Sequence, residues 1–307
     1  MDPRNQSELN KMLDKLISQA ETEIEAIYLQ RVKSIRQEIQ AMYDKYAVKG
    51  VLTLADMTKF NRLANSLKAI NREISQAQKE AYRVAQTTME QQYLQNYFRS
   101  AYLFEFEAQQ DMGFGVITRA TLEAAIANPV DKLRLPALLQ RNRAIVIARI
   151  KAEIQQGLLA GASYFEMADR IKQVVAIDMR KAKATARTEA HRVQVEARRQ
   201  AAEQASEHVT LDKVWDATLD LRTRPAHRLL DGISKPMGGL FSSITGAIGP
   251  QPGMMANPAD DINCRCSLIY RINGRNPEIR RERLDNGKTN VIPYLTYEAW
   301  YKNRIKK

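Results

Sequence analysis

The sequence predicts a mainly α-helical protein, in which a long N-terminal helical region is followed by a small C-terminal α+β domain. Two observations predict this fold class. Apolar residues recur at helical spacing over most of the chain up to about residue 207, whereas strand-like and Gly/Pro-rich segments follow that point. The 307 residues can bury a sizeable core as one large domain or two ordinary ones.

The first predicted element is a helix over about residues 6–47, whose apolar residues recur three and four positions apart. They make a single stripe that is too narrow to form a core alone and needs a partner helix. Gly50 breaks the pattern, and Thr53 with Asp56 three positions later indicates an N-cap. Because a second long helical region follows, residues 1–112 are predicted to form an antiparallel helical hairpin.

Residues 113–180 are predicted to be a helical linker and packing region. Helices are expected just before Pro129, over about 136–157 and over about 164–175. A Gly-rich turn between two of these helices is compatible with a DNA-reading helix-turn-helix. The second helix carries acidic and basic side chains rather than base-reading Asn and Gln, so a simple packed corner is the favoured interpretation.

The last region, 181–307, is predicted to be the α+β domain with a basic C-terminal tail. A third long helix is expected over about 182–207. Strand-like residues occupy 209–218 and 266–272, and Gly and Pro concentrate between them. This pattern predicts a small sheet with long loops.

Positive charge is concentrated in two stretches. The net charge is +12, and residues 180–200 hold seven basic and two acidic residues, while residues 271–307 hold ten basic and four acidic residues. One hypothesis is contact with DNA, because neutralised phosphates release counterions, and the other is a solvated helix face with a basic tail. The arginines predicted to contact DNA are Arg192, Arg198, Arg199, Arg280 and Arg281.

Several classes of protein are disfavoured by composition. No apolar run reaches the roughly 20 residues that cross a bilayer, and the N-terminus lacks the pattern of a signal peptide. We therefore expect a protein made in the cytoplasm, with no membrane partner. Two cysteines, Cys264 and Cys266, cannot supply a disulfide framework. No phosphate-binding loop or nucleophile elbow is present, so no cofactor is expected.

One group of residues in the last region has three interpretations. The first is a structural zinc site of His227, Cys264 and Cys266 with Asp220 or Asp231 as fourth ligand, although its cysteines are closer in sequence than is usual. The second is a nuclease in which His227 and Asp220 are an acid/base pair. The third, which we favour, is a buried polar network that ties loops together. Its predicted members are Arg187, Glu189, Asp220, Arg222, His227, Asp231 and Asn263.

Three motifs occur in order along this region. They are ARTEAHR at 186–192, WDATLDLRTRPAH at 215–227 followed by LLDG, and NPADDINCRC at 257–266. In this order and spacing they resemble the Mu F-like phage head-morphogenesis family, whose members are minor head or minor capsid proteins. The resemblance covers roughly residues 135–272.

The resemblance implies a structural protein that enters the procapsid in few copies and associates with the portal oligomer and other head proteins. It would act in head assembly or genome delivery, inside the virion head, after assembly in the host cytoplasm. Together with the charge, it makes packaged double-stranded DNA a further expected partner. Some members of the family carry a toxin enzyme after this domain. Only about 35 residues follow it here, too few for a catalytic domain, so we predict that the protein is not an enzyme.

Overall fold

The computed structural model describes residues 6–127, 135–275, 278–286 and 288–305. The fold is mainly helical with small antiparallel sheets toward the C-terminus, which confirms the predicted fold class. The helices are α1 (Gln6–Tyr46), α2 (Leu54–Thr58), α3 (Arg62–Ala108), α4 (Arg119–Ile126), α5 (Leu135–Leu159), α6 (Tyr164–Ala205), α7 (Pro225–Leu230), α8 (Pro258–Asp261) and α9 (Tyr297–Ile305). The strands are β1 (Leu211–Asp216), β2 (Ser234–Pro236), β3 (Phe241–Ser242), β4 (Ile248–Gly249), β5 (Ser267–Ile272), β6 (Ile279–Arg283) and β7 (Thr289–Pro293). Within these ranges, no helix is both long and apolar enough to cross a membrane.

The chain forms two compact units that interleave along the sequence. Unit 1 comprises Met1–Ser18, Thr87–Lys132 and Arg187–Lys307, and unit 2 comprises Gln19–Gln86 and Leu133–Ala186. The consecutive segments proposed above, with boundaries near residues 112 and 180, stay a prediction.

Unit 2 is built on the predicted hairpin of α1 and α3. The end of α1 lies beside the start of α3, with the guanidinium of Arg62 4.3 Å from the ring centre of Tyr46. Farther from this turn, Arg31 pairs with Glu73 at 3.3 Å, so the two helices run antiparallel. The narrow apolar stripe of α1 is thus covered, as its width required. The core takes in residues from α1, α3, α5 and α6, among them Ile35, Ile39, Ile70, Ile74, Ile150, Ile154, Met167 and Ile171.

The turn between α1 and α3 agrees with the sequence prediction at Thr53 and differs from it at Phe60. Thr53 caps α2 and accepts a hydrogen bond from the backbone N–H of Asp56 at 3.2 Å, which confirms the predicted N-cap. Phe60, which falls inside the second long helical region that the sequence predicts, does not lie on a helix face. Its φ of 52° interrupts the helix at a 3-10 turn, and its side chain is 85 % exposed.

Helix α6 is longer than the sequence predicted. It runs unbroken over Tyr164–Ala205, whereas separate helices were expected over 164–175 and 182–207. The residues between those two ranges include neither Gly nor Pro, so nothing there ends a helix. The buried face of its C-terminal half consists largely of alanines, whose small side chains allow close packing. These alanines are Ala190, Ala197, Ala201, Ala202 and Ala205.

The sheet of unit 1 has the strand order β2-β1-β5, with β1 antiparallel to both neighbours. Its two longer strands, β1 and β5, match the strands that the sequence predicts. A separate hairpin of β6 and β7 was not predicted, because the β6 sequence IRRER lacks the apolar alternation of a half-buried strand. Another short pair, β3 with β4, lies in the Gly- and Pro-rich stretch.

We predict that Gly249→Ala destabilises the protein by about 1–3 kcal/mol, because added volume in a packed site forces backbone shifts. A Cβ at Gly249 would meet the carbonyl oxygen of Met254 at 2.1 Å and the Cα of Met255 at 2.6 Å. Thermal and urea unfolding measure the change. The matched control is Gly238→Ala, since a Cβ there meets nothing within 4 Å. Equal stability of the two variants would contradict the described packing.

Candidate functional site

His227 lies at the centre of the candidate site in unit 1. Helix α7 carries it, and its side chain is 2 % exposed. One ring nitrogen, Nε2, is 3.2 Å from Oδ1 of Asp260, whose other carboxylate oxygen accepts a hydrogen bond from the Thr245 hydroxyl at 2.5 Å. The other ring nitrogen, Nδ1, is 3.6 Å from Sγ of Cys264 and 3.4 Å from Sγ of Cys266. Both nitrogens therefore face protein groups.

The two cysteines lie side by side and are buried. A hydrogen bond from Cys266 lowers the pKa of the Cys264 thiol. The same hydrogen bond, together with burial, raises the pKa of Cys266 well above its usual range. The Nδ1, Sγ and Sγ atoms of His227, Cys264 and Cys266 all lie within 4.8 Å of one another, so these three side chains can reach one metal ion.

The Asp220 carboxylate binds Arg265 and is not the carboxylate that contacts His227. It forms a two-pronged ion pair with Arg265 and accepts a hydrogen bond from the Thr223 hydroxyl at 3.1 Å. Burial works to raise the pKa of Asp220, but hydrogen bonds and the charge of Arg265 outweigh it, so this pKa lies below the usual value. The His227–Asp220 acid/base pair of the nuclease interpretation is therefore not formed, because Asp260 holds the histidine instead.

Asp231, like Asp220, accepts four hydrogen bonds through its carboxylate. It accepts hydrogen bonds from the backbone N–H groups of Ala217 at 2.7 Å and Tyr297 at 2.6 Å. Arg280 binds both of its oxygens, at 3.0 and 2.6 Å, and also pairs with Asp216 at 2.8 Å. The Arg280 and Asp231 side chains are 3 % and 1 % exposed. These bonds hold the end of β1, strand β6 and the start of α9 together.

Helix α6 joins the site through two of its side chains. The Thr188 hydroxyl accepts a hydrogen bond from the backbone N–H of Asn263 at 3.0 Å. His191 Nε2 is 2.7 Å from the carbonyl oxygen of Cys266, to which it donates. Burial lowers the pKa of His191, which keeps the ring neutral. The loop that carries the cysteines is thus fixed to the helix at both ends.

The predicted network members occupy three kinds of position. Glu189 is buried in an ion pair with Arg192 at 2.8 Å. Arg222 is exposed and contributes only its backbone N–H, which donates to Asp220 at 2.9 Å, and Asn263 likewise acts through its backbone. Arg187 is half-buried on α6.

Sequence reasoning missed several members of the site, among them Asp260, Arg265 and Arg280. Asp260 follows an Asn-Pro pair that caps the short helix α8, and that capping motif was the available signal. Arg265 stands between the two cysteines, where its ion pair with Asp220 carries no sequence signature. Arg280 lies in a basic stretch that gave no sign of burial.

The arginines predicted to contact DNA are mostly directed into the protein. Arg192, Arg198 and Arg280 are buried, and their guanidinium groups bind carboxylates or backbone carbonyls. This placement corrects the DNA-contact prediction for these three, because a buried guanidinium presents no charge to a phosphate. Arg199 is partly exposed but pairs with two glutamates. The side chain of Arg281 lies outside the described part of the chain.

Comparison with known proteins gives three findings. Residues 148–269 match the family model described as Phage Mu protein F like protein. The minor head protein GP7 of Bacillus phage SPP1 is 42 % identical over 303 residues, which cover 99 % of this chain and 98 % of that protein. The NAD(+)–arginine ADP-ribosyltransferase EFV of Enterococcus faecalis is 30 % identical over 214 residues, 69 % of this chain and 43 % of that protein. No solved structure matches.

We predict that Asp231→Ala lowers the free energy of unfolding by about 3–5 kcal/mol, because it leaves the Arg280 charge buried with one partner fewer. Urea denaturation measures this change. The matched control is Asp285→Ala, which removes a carboxylate that is 73 % exposed and pairs with Arg304. We expect the control to unfold like the wild type, since exposed ion pairs contribute little. A similar decrease in the free energy of unfolding of both variants would show that the buried Asp231–Arg280 pair stabilises the protein no more than an exposed ion pair does.

Proposed function

Because this chain belongs to the phage Mu protein F-like family, we propose that it is a minor head protein of a tailed phage. It would bind the portal oligomer and packaged DNA, and act in head assembly or genome delivery. The observation that carries this proposal is the end-to-end similarity to the SPP1 minor head protein, which covers 98 % of that relative. A match of this extent includes the helical segments as well as the α+β region.

The polar network supports a structural role. A general base must reach the proton that it abstracts, directly or through one water. His227 is buried with both ring nitrogens beside protein groups, and Asp220 is engaged by Arg265. The network joins α6, α7, α9, β1 and β6, so its geometry favours holding loops in place.

An enzyme is the rival class, and the transferase relative gives it a specific form. The chain spans less than half of that relative, so the name of that protein is not by itself a reason to assign transferase activity here. Incubation with NAD⁺ and an arginine-containing acceptor, and with plasmid DNA and Mg²⁺, distinguishes the classes. We expect neither ADP-ribose transfer nor nicking above the background of a His227→Ala preparation.

An exposed apolar surface on unit 2 is the part that we propose binds the portal. This apolar tip consists of Val48, Val51, Phe60, Leu159 and Phe165. Val51 lies within 4.0 Å of the position of a Cβ at Gly161, so the turn after α1 meets the turn between α5 and α6. Phe60 and Phe165 are 85 % and 79 % exposed. Exposed apolar residues concentrated on turns of one unit commonly mark protein–protein contacts.

We predict that Phe60→Ser combined with Phe165→Ser weakens binding to a purified portal oligomer by about tenfold or more, because buried aromatic anchors dominate interface energetics. Stability should stay near that of the wild type, since both rings are exposed. Co-sedimentation and incorporation into heads measure the effect.

The matched control is Val116→Ser, which changes a residue of unit 1 that is equally exposed. We expect this variant to bind the portal and enter heads normally. If the control and the double variant lose portal binding equally, or if neither does, the apolar tip is not the portal contact.

DNA contact is proposed on exposed basic residues of unit 1. Arg222, Arg275 and Lys288 are exposed, and the last two lie in the positively charged C-terminal region. The segment that carries Arg222 contacts this region through the Leu219–Glu282 bridge and the Tyr297 hydroxyl. We predict weak binding to double-stranded DNA without sequence preference. Replacing all three by alanine should reduce the slope of log affinity against log salt by about 2–3, since each neutralised phosphate contributes about 0.9.

The matched control removes three positive charges that already have carboxylate partners. These are Arg119, Lys302 and Arg304, which pair with Glu123, Glu298 and Asp285. Filter binding over a salt series compares the two triple variants. We expect a smaller change of slope in the control, and equal slopes would contradict the assignment of the DNA-facing surface.

A further inference from the structure

We propose that His227, Cys264 and Cys266 bind one structural Zn²⁺ ion, through Nδ1 of the imidazole and two thiolates. All three side chains are buried, and their ligand atoms lie within 4.8 Å of one another. Imidazole nitrogen and thiolate sulfur are the ligands that structural zinc sites use most.

The separations agree with tetrahedral zinc. Zn–S bonds of about 2.3 Å and Zn–N bonds of about 2.0–2.1 Å, at a tetrahedral angle, place nitrogen and sulfur about 3.6 Å apart. The observed distances from His227 Nδ1 to the two sulfur atoms are 3.6 Å for Cys264 and 3.4 Å for Cys266. Hydrogen bonding alone accounts for one of them, because a neutral imidazole offers one lone pair to one donor. A shared ion accounts for both.

The histidine is held in the tautomer that a metal requires. Asp260 Oδ1 lies 3.2 Å from Nε2, on the opposite side of the ring from the sulfur atoms. When the carboxylate accepts a hydrogen bond from Nε2–H, the imidazole keeps its free lone pair on Nδ1. This is the usual carboxylate–histidine–zinc triad, in which the nitrogen without hydrogen binds the metal. Thr245 donates to the second oxygen of Asp260 and fixes the carboxylate in turn.

The short spacing of the cysteines is explained by the local backbone. Burial alternates residue by residue from Cys264 through strand β5 to Ile272. In such an extended segment, positions i and i+2 point to one side and position i+1 to the other. Both sulfur atoms therefore face His227, while Arg265 points away and pairs with Asp220. One intervening residue suffices here, where zinc sites in turns use two to four.

The proposed site uses three protein ligands, and a water molecule would complete the shell. Asp220 and Asp231, the fourth ligands considered from the sequence, are engaged by Arg265 and Arg280 instead. Two thiolates balance the charge of the ion, so no net charge is buried. The ion would join α7 to the start of β5, in a region with long loops, where a metal adds stability that a small core lacks.

The experiment uses the full chain without a histidine tag, purified from zinc-supplemented cells without chelators. Elemental analysis is expected to find about one zinc ion per chain, and a strong chelator should lower the melting temperature until zinc is restored. Cys264→Ser, Cys266→Ser and His227→Ala should each lose the metal. The matched control is His208→Ala, which changes an exposed histidine and should retain it.

Two further measurements do not depend on the folding of the ligand variants. Wild-type protein loaded with Co²⁺ should show the thiolate charge-transfer band and the intense visible bands of a tetrahedral site. Asp260→Asn keeps all three ligands and should weaken zinc affinity by about 10–100-fold in a chelator competition. Zinc-free wild-type protein whose melting temperature does not respond to zinc, with no cobalt spectrum, would overturn the proposal.

Discussion

The C-terminal region of this protein depends on one buried carboxylate. Asp231 accepts hydrogen bonds from two backbone N–H groups and binds both arms of Arg280. The bond with the greatest sequence separation joins Asp231 and Tyr297, 66 positions apart. The sheet is small and its connecting loops are long, so apolar side chains such as Trp215 and Phe241 do not by themselves position the loops. Buried charge, paired and hydrogen bonded, defines the geometry instead.

The helical part of the fold could be predicted because its information is local. Helical periodicity located α1, α3 and α5, and the cap at Thr53 placed the start of α2. The errors arose at helix boundaries, which periodicity places poorly. The break expected inside α6 had no Gly or Pro behind it, and the φ of 52° at Phe60 leaves no trace in the apolar period.

The site was predictable in composition but not in pairing. His227, the two cysteines and the aspartates stood out as residue types, yet the sequence could not indicate that Asp260 holds His227 while Asp220 holds Arg265. Charge in the sequence was an equally incomplete guide. Arg192, Arg198 and Arg280 add to the net charge of +12, but their positive groups satisfy acceptors inside the protein. Linear charge density and surface potential are therefore different quantities in this chain.

The interleaving of the two units along the chain constrains the order in which the protein can fold during translation. Unit 2 has all of its residues once the ribosome has passed Ala186, whereas unit 1 needs Arg187–Lys307 to complete it. The first segment of unit 1 can meet α3 early, since Gln92 donates to the carbonyl oxygen of Leu13. It waits for its partners beyond Ala186 while much of the remaining polypeptide is made. At ordinary elongation rates that interval is on the order of tens of seconds. Over this time early α1 lacks its late partners, among them Arg198, which binds Asn10, and Arg283, which binds Asp14.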